Sequence, residues 1–118
     1  MKKIRVLTLG LVATALLVWA LPATAQRSAT VVKVTAGKPA EFRFTLSTKT
    51  AHAGSVTFVV TNKGQLAHDF KIAGKKTPLL QHGKTAKVTV SLKKGKYPYS
   101  CTVPGHAAAG MKGIFTVK

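Results

Sequence analysis

The sequence predicts an all-β protein, a small sandwich of about seven short strands behind an N-terminal leader. Three observations lead there. Apolar and polar residues alternate at period two in run after run. β-Branched and aromatic residues fill those runs, and Gly-containing turns separate them. After the leader, no stretch of ten or more residues shows helical periodicity with caps, and that many short strands in one small domain imply an antiparallel sandwich.

Residues 1–25 read as a secretory signal peptide of the Sec type. Lys2, Lys3 and Arg5 form its basic start, Val6 to Ala20 is uncharged and mostly apolar, and Ala23-Thr24-Ala25 offers a small-residue cleavage site before Gln26. The apolar run is just long enough to span a bilayer, but Pro22 and the small residues favour cleavage. The expected organisation is therefore a signal peptide, 1–25, and one exported domain, 26–118, in the periplasm or beyond the cell. Removing 25 of 118 residues leaves 93, enough for a single core.

Within the domain the strand-like runs follow in order. Ala29–Ala36 places Val32 and Val34 on one face, and Gly37-Lys38-Pro39 ends it. Ala40–Ser47 alternates Phe42, Phe44 and Leu46 with Glu41, Arg43 and Thr45. Ser55–Thr61 carries Val56, Phe58 and Val60, and Asn62-Lys63-Gly64 turns. Ala67–Ala73 supplies Phe70 and Ile72, and residues 74–85 read as a loop crossing between sheets. Ala86–Leu92 repeats the pattern with Val88 and Val90, Lys93-Lys94-Gly95 turns, and Tyr97–Cys101 and Gly113–Val117 finish the chain.

The chain carries 19 Lys and Arg against two acids, Glu41 and Asp69, for a formal charge of +17. Three of those bases lie in the leader, so the exported domain keeps a formal +14. Such a charge suits partners with acidic docking surfaces and, as a second candidate, an anionic membrane surface. The bases are spread along the chain and few aromatics accompany them, which argues against specific nucleic-acid recognition. Cys101 is the only cysteine, so an internal disulfide is excluded. A lone thiol in an oxidising compartment is a liability unless it is buried or occupied, and metal ligation would occupy it.

The chemistry concentrates near the C-terminus. Cys101, His106 and Met111 fall at C-x4-H-x4-M, where a strand gives way to a loop bent by Pro104, Gly105 and Gly110. Taken singly, Cys101 reads as a small buried hydrophobe, Met111 as a core gap-filler and His106 as a loop histidine. Taken together on one bent loop, they form a soft ligand set. One further imidazole completes His2Cys with a weak Met, the set that suits blue copper. His68, opening the AHDFKI run, is the best candidate for it. His52 and His82 match no ligand spacing and read as surface residues. Zinc is the rival metal, but it seldom uses Met. A Cys101 nucleophile with His106 as base and Asp69 as orienter is the enzymatic rival, and no oxyanion-binding motif accompanies it.

YPYSCTVPGHAAAGMKGIFTVK resembles the copper loop and last strand of the cupredoxins, the group containing plastocyanin, azurin and rusticyanin. Its spacing is most similar to rusticyanin's, and GQLAHDFKI resembles the segment carrying the family's first histidine ligand. The resemblance implies a Greek-key β-sandwich holding one type 1 copper, with His68, Cys101 and His106 as equatorial ligands and Met111 as the axial one. It implies a monomeric, non-enzymatic protein that shuttles single electrons between redox protein partners. The alternative is a copper-handling or storage protein. One departure stands out: cupredoxins usually place Asn after the first histidine ligand, where its amide ties the two ligand loops together, and here that position is Asp69.

Overall fold

The computed structural model describes residues 2–3, 10, 12–19 and 29–118. The expected cleavage site after Ala25 lies outside the described residues, as does much of the leader. Residues 12–19 adopt no regular structure and expose their apolar side chains, among them Leu16 and Trp19. No helix among the described residues is long and apolar enough to cross a membrane.

Among the described residues, nine strands form two sheets. In chain order they are β1 (Ala29–Ala36), β2 (Phe44–Leu46), β3 (Thr50–Ala51), β4 (Gly54–Asn62), β5 (Lys71–Ile72), β6 (Lys75–Lys76), β7 (Thr85–Leu92), β8 (Gly95–Ser100) and β9 (Lys112–Val117). One sheet has the order β2-β1-β4-β7 and the other β3-β9-β8-β5-β6. The long period-two runs of the sequence are the long strands β1, β4 and β7, each burying alternate residues.

The expected antiparallel pairing needs correction. β1 pairs with β4 in parallel over eight residues, and β3 pairs with β9 in parallel. After β2 the chain leaves the first sheet, adds β3 to the edge of the second, and returns as β4 on the other side of β1. That detour brings β4 back in the same direction as β1. Period-two alternation records which face a residue occupies but not which way its strand runs.

Two other stretches differ from expectation. Only Phe44–Leu46 of the Ala40–Ser47 run is strand, because residues 41–42 form a turn. The Ala67–Ala73 run shrinks to Lys71–Ile72, preceded by an isolated bridge between His68 and Leu80. The supposed loop 74–85 does cross between the sheets, but it begins with β6, which pairs with β5 across a two-residue turn. Ala73 and Gly74 both sit at positive φ, 50° and 77°, as the I′ hairpin form requires.

The core lies between the sheets. Val32, Val34, Val56, Phe58, Val60, Val88, Val90 and Leu92 face Phe70, Ile72, Tyr99, Phe115 and Val117. At its centre Phe58 packs edge-on against Phe115 at 5.2 Å between ring centroids and tilted against Phe70 at 5.3 Å. Each such side chain contributes roughly 1.5–3 kcal/mol by burial. A second, smaller cluster of Ala36, Cys101 and Met111, flanked by Phe42, Phe44 and Val103, forms a satellite core. It lies where β8 ends and β9 begins.

Candidate metal centre

Cys101 follows the last residue of β8, and Met111 precedes the first residue of β9. The backbone pins the two together, because Cys101 N–H donates to the Met111 carbonyl at 3.1 Å. Between them the chain winds into overlapping turns. His106 N–H donates to Val103, Ala109 N–H to Gly105, Gly110 N–H to Ala107, and Met111 N–H to His106, all at 3.0–3.1 Å. Gly105 at φ 84° and Gly110 at φ 115° take conformations that side chains resist. This winding returns His106 over Cys101 and leaves Met111 fully buried beside it.

His68 arrives from another loop. Its backbone bridges to Leu80, with His68 N–H to the Leu80 carbonyl at 3.1 Å and Leu80 N–H to the His68 carbonyl at 2.8 Å. Buried Asn62 holds the approach. Its amide donates to the carbonyls of Leu66 and Leu80, and its oxygen accepts Gly64 N–H at 2.8 Å. His82, exposed as expected, donates from Nδ1 to the Gly64 carbonyl at 2.7 Å. His52 is exposed.

The three donor groups converge. Nδ1 of His68 lies 3.1 Å from Nδ1 of His106, and Sγ of Cys101 lies 3.6 Å from the His106 nitrogen and 4.0 Å from that of His68. Metal–imidazole bonds of roughly 2.0–2.1 Å and a metal–thiolate bond of about 2.3 Å, spread trigonally around one ion, would separate N from N by about 3.6 Å and N from S by about 3.8 Å. The two observed N–S distances, 3.6 and 4.0 Å, straddle that value, and the observed N–N distance, 3.1 Å, is shorter. Two imidazoles and one sulfur, buried or half-buried, with a thioether residue in the same cluster, make a soft set that fits a late transition metal.

Electrostatics agree with a ligand role for the thiol and against a nucleophilic one. Burial pushes the Cys101 thiol above its ordinary value, with smaller opposing effects from hydrogen bonds. A thiol held that way stays protonated and attacks poorly, whereas a bound metal would displace the proton to solvent and hold the thiolate. Burial, and then the neighbouring His68, push His106 below its ordinary value, so its ring stays neutral and able to ligate. Asp69 does not face His106 as a catalytic orienter would. Both of its oxygens accept from Thr102, one from the backbone N–H at 2.6 Å and the other from the hydroxyl.

Sequence reasoning missed the other acid. Nε2 of His68 lies 2.7 Å from Oε1 of Glu41, whose carboxylate also accepts the N–H groups of Gln65 at 2.9 Å and Leu66 at 2.8 Å. Those two backbone donors, foremost, hold the Glu41 carboxyl down at about 2. An ionised Glu41 can only accept, so Nε2 of His68 carries the proton of that bond, and Nδ1 is the nitrogen that faces the other donor atoms. The available signal was scarcity: two acids among 19 bases, each of them placed against this centre.

Residues 9–117 match the family model of the cupredoxin-like domain. A search of curated protein sequences found no significant match. Among solved structures, rusticyanin from Thiobacillus ferrooxidans is 31% identical, covering 75% of this chain and 77% of its own, with a TM-score of 0.57. Auracyanin A, a "blue" copper protein from Chloroflexus aurantiacus, is 21% identical with a TM-score of 0.62, covering 77% of this chain and 100% of its own. Auracyanin from Roseiflexus castenholzii is 20% identical with a TM-score of 0.63, covering 78% of this chain and 98% of its own.

Proposed function

The chain belongs to the cupredoxin-like family, and from that premise we propose that it is an exported blue copper protein that passes single electrons between redox partners. The observation that carries this reading is the triangle of donor atoms, two imidazole nitrogens and one sulfur, drawn together from two separate loops. His68 and His106 would hold copper through Nδ1 and Cys101 through Sγ, with Met111 as the weak fourth ligand. Copper bound there would supply a one-electron Cu(I)/Cu(II) couple.

The chain's own residues make that exchange easy. Backbone bonds from Cys101 to Met111 and from Met111 to His106 fix the ligand loop, so little rearranges when charge changes. The satellite core of Ala36, Phe42, Phe44 and Val103 keeps water from the sulfur. His106 is half-buried on a loop whose Pro104, Ala108 and Ala109 are exposed, a small apolar rim that a partner can approach and leave. Small interfaces serve such brief encounters. The Lys-rich surface favours acidic partners, with a rate that falls as salt rises. No catalytic role is proposed.

Export by residues 1–25 and an independent domain at 26–118 belong to the same proposal. Its support is the basic start and apolar run of the leader. Unpacked apolar side chains at residues 12–19 agree with it.

Copper titration tests the function. Adding Cu(II) to the purified protein is expected to give an intense blue or green thiolate band that bleaches on reduction and returns on oxidation. Cys101→Ser removes the band. A colourless complex with Cu(I) alone would favour copper handling, and no uptake would leave a metal-free basic binding module.

A further inference from the structure

Three consecutive residues outside both ligand loops touch the centre. Glu41, Phe42 and Arg43 lie in the turn between β1 and β2. Glu41 bonds Nε2 of His68. The ring of Phe42 meets the ring of His106 edge-on, 4.9 Å between centroids and 63° between planes. Arg43 donates from one guanidinium nitrogen to the Ala109 carbonyl at 2.9 Å, inside the ligand loop, and to the Phe42 carbonyl at 2.9 Å. One tripeptide thus meets the outer side of each histidine and the far bend of the loop.

The packing around Glu41 is close. A Cβ on Gly64 would lie 2.6 Å from Oε1 of Glu41 and 2.9 Å from Nε2 of His68, so the absence of a side chain there admits the contact. His68 is fully buried, and Glu41 is the partner of its Nε2.

We propose that Glu41-Phe42-Arg43 is a positioning segment that readies the centre for its metal: it selects the His68 tautomer, seats the His106 ring and anchors the ligand loop at Ala109. This rests on the metal-centre reading above. A ligating histidine normally donates its second ring N–H to a carboxylate or carbonyl, which fixes both tautomer and orientation, and loss of that partner typically costs 10–100-fold in metal affinity. Here the carboxylate is itself held by two backbone N–H groups, so the chain that presents His68 also presents its partner. The site is then formed before an ion arrives, which suits a domain that folds after export.

Long-range 15N–1H correlation spectra of the metal-free full chain read the tautomer, and competition against a chelator of known strength reads Cu(II) affinity. Wild type is expected to show His68 only as the Nε2–H form. Glu41→Ala should give mixed tautomers and about 10–100-fold weaker Cu(II) binding. Glu41→Gln keeps an acceptor oxygen and should restore the tautomer and most of the affinity. Phe42→Leu and Arg43→Ala should leave the His68 tautomer alone while altering the Cu(II) hyperfine splitting in electron paramagnetic resonance. The proposal is overturned if wild-type His68 carries its proton on Nδ1, or if Glu41→Ala keeps both tautomer and affinity within twofold. Should Glu41→Ala not fold, the wild-type tautomer and the Phe42 and Arg43 variants decide. The tautomer is read without copper, so a wild-type chain that ignores Cu(II) would sink the function while this result still judged the segment.

Discussion

Asp69 ties together the two loops that carry the metal donors. One of its oxygens accepts the backbone N–H of Thr102 at 2.6 Å and the other accepts the Thr102 hydroxyl. Asp69 follows His68 and Thr102 follows Cys101, so this clasp joins the two donors through their immediate neighbours. The family's usual Asn would be expected to tie the loops by donating an amide. Here the tie is kept with the polarity reversed, a carboxylate accepting from the cysteine side.

The reversal puts a negative charge beside the sulfur. Two unit charges about 8 Å apart, at an effective dielectric near 20, interact by roughly 2 kcal/mol, on the order of 0.1 V, which sets the upper scale of the effect. Asp69→Asn can still accept from Thr102 N–H and offer its amide to the hydroxyl, so the clasp survives while the charge goes. Less negative charge disfavours Cu(II). Asp69→Asn is therefore expected to raise the reduction potential by tens of millivolts with little loss of thermal stability. Protein-film voltammetry checks it, and an unchanged or lower potential would count against the assignment of charge to Asp69.

Acid should act through the other carboxylate. Glu41 drops from an ordinary 4.5 to about 2 in the folded chain. A depressed carboxyl contributes its stabilisation in full above 4.5, and loses it as pH falls through that value towards 2. Burial also holds His106 below its ordinary 6.5, which costs some stability as pH falls through that value. The melting temperature of the metal-free protein is thus expected to slip gently from pH 7 to about 5 and to decline more steeply below that as Glu41 protonates, with the fold still present at pH 3. Glu41 and Asp69 are the chain's two acidic side chains, which limits the decline below pH 5. Glu41→Gln should start lower at pH 7 and lose much of this slope. If calorimetry shows wild type and variant falling in parallel between pH 5 and pH 3, Glu41 is not the group responsible.

The legible parts of the molecule were those whose signal is local. β1, β4 and β7 alternate over eight or nine residues with one face buried, so composition alone marks them. Cys101, His106 and Met111 share one short loop, and their spacing carries the metal set. His68 was reachable because it opens an apolar run and resembles a family segment. Strand direction was not legible, since the parallel pairing of β1 with β4 depends on the chain's visit to the second sheet. Nor was the 41–43 turn. Glu41, Phe42 and Arg43 continue the alternation of Phe44 and Leu46, yet Phe42 turns to His106 instead of joining a strand. Glu41 meets a partner 27 positions away and Arg43 one 66 positions away, separations that no window of sequence contains.

Gly110 shows how tightly that distant turn grips the ligand loop. Its φ of 115° is strained for any side chain, and a Cβ there would fall 1.9 Å from Nη1 of Arg43. Gly110→Ala must therefore bear backbone strain of roughly 1–3 kcal/mol and also push Arg43 off the Ala109 carbonyl. The two costs separate in a double-mutant cycle. Arg43→Ala alone loses the guanidinium bonds to Phe42 and Ala109. In a Gly110→Ala background those bonds are already broken, so adding Arg43→Ala should cost little or restore stability by relieving the clash. The expected coupling is on the order of 0.5–2 kcal/mol, read from urea midpoints of the metal-free protein. The thiolate band of the copper-loaded single mutant should shift as the loop moves and return towards wild type in the double mutant. Strict additivity in the cycle, with no recovery of the band, would mean that Arg43 does not hold the loop at this bend.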